Sequence, residues 1–169
     1  MKLFDLDPIY YDLESKLITK LNNYIKNNKC CDDKLCKHPE MQSNSYLFDE
    51  QDEIIQILKD SLYEGVKKLY TEYKVVTMDA WTLKRLKGDC NTGVWHNHKD
   101  EDRKILSSIF YVNDTNLGTE FEDENFIYKL KPKKFRWCIF DSKLNHRPEN
   151  GYLSNDRYVI SCDIGIKRT

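Results

Sequence analysis

The spacing of apolar residues changes period partway along the chain, and that change limits what it can fold into. Leu13, Leu17, Leu21 and Ile25 recur every fourth residue, which stacks them on one face of an α-helix. Asp7 followed by Pro8 supplies a start signal: a side-chain oxygen to cap the first turn, then a residue that lacks an N–H where none is needed. Ile54, Leu58, Leu62, Val66 and Leu69 form a second stripe and predict a helix from near Asp49 to about Tyr73. Beyond it the helical period is lost. Short β-branched and aromatic runs follow, at 75–86, 93–98, 105–113, 120–121, 126–130, 135–140 and 157–164, separated by turn residues. Two helices and then these strands predict an α+β fold with the N-terminal helices packed on one sheet of a β-sandwich or jelly roll. The 169 residues suffice for one domain with a full core, 1–73 as mainly helical support and 75–166 as the β core.

Charge and cysteine usage narrow the functional classes. A formal net charge of −1 provides no global basic field, which argues against nucleic acid as a partner. The local cluster Lys129, Lys131, Lys133, Lys134 and Arg136 surrounds Pro132 and reads as a solvated hairpin turn, with substrate contact as the sharper alternative. No apolar run approaches the roughly 20 residues that span a bilayer, and 1–5 lacks the apolar segment of a signal peptide. The expectation is a cytoplasmic protein whose six cysteines are reduced. Abundant Lys and Asn with scarce Ala, Gly and Pro fit an AT-rich genome, such as that of a phage, virus or AT-rich bacterium.

Chemistry concentrates in the histidines. Of four, three stand in Trp95-His96-Asn97-His98-Lys99-Asp100 and Leu144-Asn145-His146-Arg147-Pro148. Eleven residues past His146, Arg157 opens the run Arg157-Tyr158-Val159-Ile160-Ser161-Cys162. Side chains two apart on a strand face the same way, so His96, His98 and Asp100 can all point into a barrel. Non-haem Fe(II) is held by three protein ligands on one face, commonly two histidines and a carboxylate. Two sets are open, His98 with Asp100 and His146, or the all-nitrogen His96, His98 and His146. The first is preferred, because a carboxylate offsets part of the metal's charge. Arg157 adds a fixed cation for a ligand carboxylate. Together these residues point to an oxygenase that uses Fe(II) and 2-oxoglutarate.

Further motifs fall in a recognisable order. Thr92-Gly93 precedes the first histidine motif, Tyr111-Val112-Asn113 ends a strand, and Gly118-Thr119-Glu120-Phe121 opens the next. With the distal histidine and the Arg-Tyr-x-Ile-Ser run after it, the stretch 81–164 resembles the double-stranded β-helix core of the Fe(II)/2-oxoglutarate dioxygenases, in their prolyl-hydroxylase-like branch. Two positions depart from that pattern. His96 resembles phage-type relatives with His-x-His, and Gly118-Thr119 stands where a double Gly is usual. The resemblance implies that Tyr111 and Arg157 grip the distal carboxylate of 2-oxoglutarate and that Ser161 adds a hydroxyl contact. The other end of 2-oxoglutarate would chelate the iron. The implied activity is hydroxylation of a protein side chain or a small molecule. The loops at 29–45 and 113–124 carry no motif that identifies the substrate.

Two other functions remain open at this point: a cupin-type three-histidine metalloenzyme that does not use 2-oxoglutarate, and a non-catalytic β-sandwich binding module. Cys30, Cys31, Cys36 and His38 are potential zinc ligands, but their spacing fits no standard finger. They read as an ordinary loop, with a structural metal or a redox thiol pair as alternatives. Trp81, Trp95 and Trp137 read as core or pocket walls.

Overall fold

The computed structural model describes residues 1–30, 41–100, 104–124 and 126–169. Cys31, Cys36 and His38 of the cysteine-bearing loop lie outside the described residues.

Both helical stripes fold as helices, and each starts later than its first capping signal. The Asp7 carboxylate accepts the Ile9 N–H at 3.0 Å, but the segment it opens, Pro8–Leu13, is a 3-10 helix, and α1 runs Glu14–Asn27. Asp49 closes a short 3-10 turn, Leu47–Asp49. The cap of α2 (Glu53–Leu69) is Asp52, whose carboxylate accepts from the N–H groups of Ile54 at 3.0 Å and Ile55 at 3.4 Å.

Among the described residues ten strands follow or flank the helices: β1 (Lys2–Asp5), β2 (Tyr73–Arg85), β3 (Cys90–Asn91), β4 (Lys104–Tyr111), β5 (Thr119–Asp123), β6 (Phe126–Leu130), β7 (Arg136–Asp141), β8 (Asn145–Pro148), β9 (Gly151–Tyr152) and β10 (Arg157–Arg168). They form an antiparallel sheet in the order β1-β7-β4-β10-β2, a three-stranded sheet β6-β5-β8, and a small ladder β3-β9. The stretch 93–98, expected as a strand, pairs only at His96, which forms a single bridge with His146.

Alternation along β10 divides the core into two layers. Tyr158, Ile160, Cys162, Ile164 and Ile166 face one way and cluster with Leu17 and Leu21 of α1, Leu58, Leu62 and Val66 of α2, and Trp137 of β7. Val159 faces the other way and clusters with Ile109, Tyr111, Phe121, Leu130, Cys138 and Phe140, drawn from both larger sheets. The second layer matters for function, because it places Arg157, Ser161 and Asp163, all of Val159's parity, in the space between the sheets.

Much of the basic cluster is paired with carboxylates. Lys133 and Arg136 meet Asp5 of β1, Lys134 meets Glu14, and Lys129 meets Glu120 and Glu149. The Arg136 guanidinium, more than that of any other neighbour, holds the Asp5 carboxyl down to about 2 and helps clamp β1 onto β7. No helix among the described residues is long and apolar enough to cross a membrane.

Gly118 explains itself by close backbone approach. A Cβ there would lie 1.8 Å from the carbonyl oxygen of Leu130 on the neighbouring β6. Backbone cannot step aside as a side-chain tip can, so β5 and β6 would have to part. Gly118→Ala is expected to destabilise the fold at or above the top of the roughly 1–3 kcal/mol typical of overpacking. Urea unfolding would measure it, and a loss below about 0.5 kcal/mol would contradict this packing.

Candidate metal centre

The two histidine motifs meet because the segment 94–98 runs antiparallel beside β8. His96 N–H donates to His146 O at 3.1 Å, His146 N–H donates to His96 O at 2.9 Å, and His98 N–H donates to Ser142 O at 2.8 Å. This exchange of both backbone bonds puts the His96 and His146 side chains opposite one another on one face. Their ring centroids are 4.4 Å apart, and the His98 ring is 5.3 Å from His96 and 5.2 Å from His146. One nitrogen from each ring falls within 4.8 Å of the others, making the cluster a possible metal site.

Each ring is also oriented from behind. Nδ1 of His96 bonds Val94 O at 2.9 Å, Nδ1 of His146 bonds Leu144 O at 3.1 Å, and Nδ1 of His98 bonds a carboxylate oxygen of Asp163 at 2.7 Å. These oxygens accept, so the proton sits on Nδ1 and the lone pair of Nε2 is left for a ligand. Burial, and then the charge of His96, pushes the His146 imidazole down to about 4, so it is neutral and able to ligate at neutral pH. Trp81 stacks flat on His98 at 5.7 Å, and Phe140 meets His146 edge-on at 4.8 Å. Both limit ring rotation.

The donor group is therefore the all-nitrogen one among the described residues, and Asp100, the preferred third ligand, stands outside it. The parity that was to carry Asp100 inward holds only while the chain stays paired. Backbone bonding to the neighbouring segment reaches His98, whose N–H donates to Ser142 O, and the Lys99 N–H turns back to the Asn97 side chain at 3.4 Å. A carboxylate that does touch the cluster is Asp163, which the sequence pattern did not single out. It shares the parity of Arg157 and Ser161 in an otherwise apolar run, and an acid in that position calls for a partner.

The anion-binding candidates lie in the same interior layer. Arg157 is 6% exposed, and one guanidinium nitrogen donates to Gly118 O at 3.3 Å. Its buried Nε has no partner among the described residues. Burial disfavours its charged form and lowers its pKa, opposed chiefly by Tyr111. Tyr111 is buried and donates its hydroxyl to Thr119 Oγ1 at 2.8 Å; burial raises its pKa to about 12, so it is a neutral phenol. Ser161 pairs with Ile109 of β4 and Trp81 of β2, on the face that holds Asp163.

No protein-family model matches this sequence, and no curated protein is a detectable relative of it. Solved structures do resemble it. A prolyl hydroxylase from Trichoplax adhaerens, solved with a hypoxia inducible factor peptide fragment, superimposes with a TM-score of 0.70 at 14% identity, covering 97% of this chain and 82% of its own. A prolyl-4-hydroxylase from Pseudomonas putida gives 0.63 at 15% identity, covering 97% and 87%. HygX from Streptomyces hygroscopicus, solved with nickel and 2-oxoglutarate bound, gives 0.61 at 9% identity, covering 96% and 80%.

Proposed function

We propose that this chain, which has the fold of the Fe(II)/2-oxoglutarate oxygenases, is an Fe(II)- and 2-oxoglutarate-dependent hydroxylase acting on a protein side chain or a small molecule. Residues 1–169 are read as a single oxygenase domain. One observation carries the reading. Three imidazoles with Nδ1 engaged form one cluster, its buried member His146 packed on Phe121 and Phe140, and the layer of those two rings also takes a buried arginine whose Nε has no partner among the described residues. A metal suits the first feature, and a carboxylate suits the second. A buried arginine with an unsatisfied N–H is costly, and a bound dicarboxylate would satisfy it.

His96, His98 and His146 are the proposed ligands of Fe(II). Arg157 is the proposed partner of the distal carboxylate of 2-oxoglutarate, offering a planar fork for a planar anion. Tyr111 stays protonated and, by turning its one O–H away from Thr119, can donate to the same carboxylate, and Ser161 can add a hydroxyl. When bound, the iron and 2-oxoglutarate supply the oxygen activation that couples conversion of 2-oxoglutarate to succinate with hydroxylation of a C–H bond. Trp81, Phe121 and Phe140 wall the histidines with apolar surface, which restricts water around the reacting centre.

The all-nitrogen donor set found among the described residues favours a second reading, a cupin-type three-histidine enzyme without 2-oxoglutarate. The two separate in one experiment. Anaerobic addition of Fe(II) and then 2-oxoglutarate is expected to produce the weak visible charge-transfer band of an iron–keto-acid chelate. Fe(II) binding with no band on adding 2-oxoglutarate would overturn the first reading in favour of the second.

A further inference from the structure

The three imidazoles that form the donor set among the described residues bring no negative charge to a divalent cation, whereas the usual two-histidine, one-carboxylate face offsets one unit of it. The structure puts a carboxylate one hydrogen bond further out. Asp163 Oδ2 is 2.7 Å from His98 Nδ1, and Asp163 Oδ1 accepts the Ser107 hydroxyl at 2.7 Å. Ser107 is buried and lies directly across the β4–β10 ladder from Asp163, so the tether is built into the register of the main sheet. The Asp163 side chain is only 25% exposed. With one oxygen on the histidine and the other on the serine, both are committed, and the carboxylate is held in place behind the ring.

We propose that Asp163 is the charge-compensating positioning residue of the metal centre. It holds His98 with its proton on Nδ1 and its Nε2 lone pair toward the metal. It also lends the site, through the imidazole, the negative charge that the ligand set lacks. This inference rests on the three-histidine metal site proposed above. A carboxylate behind a ligating histidine raises the basicity of that ligand and fixes its orientation, and losing such a partner typically weakens metal affinity by roughly 10–100-fold.

The test is metal affinity of the apoprotein, measured with Co(II) and, anaerobically, with Fe(II), in competition with a chelator. Asp163→Asn keeps the shape and a carbonyl acceptor for His98 but removes the charge. Its dissociation constant should rise about 10–100-fold, while its apo melting temperature stays near that of wild type. The Fe(III)/Fe(II) potential should rise too, because the lost negative charge stabilised the higher oxidation state; a purely structural role would not move it in that direction. Ser107→Ala keeps the charge and removes one tether, so a smaller loss is expected. Asp79→Asn is the control, since Asp79 pairs with Asp163 across the β2–β10 ladder but is exposed. It should leave affinity unchanged. Wild-type affinity in Asp163→Asn, or an equal loss in Asp79→Asn, would overturn the role of Asp163 while leaving the metal site standing. Failure of the wild-type protein to bind either metal would overturn the site, and this inference with it.

Discussion

Arg157→Ala should weaken 2-oxoglutarate binding by about 30-fold to several-thousand-fold while leaving Fe(II) affinity nearly intact. The range corresponds to the roughly 2–5 kcal/mol lost when one partner of a buried, hydrogen-bonded charge pair is removed. Arg157 belongs in that class. It is 6% exposed, its contact with the Gly118 carbonyl engages one nitrogen, and its Nε is unsatisfied. A guanidinium in such a place loses hydration, and the protein returns little for it. The variant is also expected to fold at least as well as wild type without ligand, because removing a poorly compensated buried cation relieves a cost. Arg157→Lys should recover only part of the affinity, since an ammonium cannot reproduce two parallel N–H donors. Titration of 2-oxoglutarate into the Fe(II) protein, with succinate formation from labelled 2-oxoglutarate, reports the loss. Unchanged turnover in Arg157→Ala would remove Arg157 from the co-substrate pocket and most of the case for this activity.

The elements that could be read from the sequence were those whose own residues repeat. The leucines of α1, the aliphatic stripe of α2, and the apolar alternation of β4, β7 and β10 are buried for the reason the pattern implies. β8 was illegible. Asn145-His146-Arg147-Pro148 has no strand propensity, and it is extended because Phe121 lies opposite His146 on one side and His96 on the other. β1 is equally silent, being four residues held by β7 and by the Asp5–Arg136 pair. The same distinction separates the site residues. His98, His146 and Arg157 stand out by spacing. Asp163 shares Arg157's parity, yet its role depends on where the His98 ring lands, and that is a tertiary fact. Asp100 depends on tertiary placement too: strand parity nominates it, and among the described residues the His96, His98 and His146 donors come together without it.

His146→Ala should abolish metal binding at low Fe(II), a larger loss than the roughly 10–100-fold that removal of an outer partner costs. His146 is the most buried of the three proposed ligands, at 6% exposure. Its backbone exchanges two hydrogen bonds with His96, so no neighbouring side chain can take its position without breaking the bridge that forms the site. Two coordinating nitrogens would remain, which leaves one of the three facial positions unheld. The comparison of His96→Ala with Asp100→Ala then decides the ligand set. The observed cluster predicts a severe loss for His96→Ala and a small one for Asp100→Ala. The two-histidine, one-carboxylate set predicts the reverse. Wild-type iron affinity in His146→Ala would exclude both sets at once, because His146 is common to them. A severe loss in Asp100→Ala with little effect in His96→Ala would mean that the segment after His98 rearranges when the metal binds, bringing the carboxylate in and displacing the more exposed imidazole.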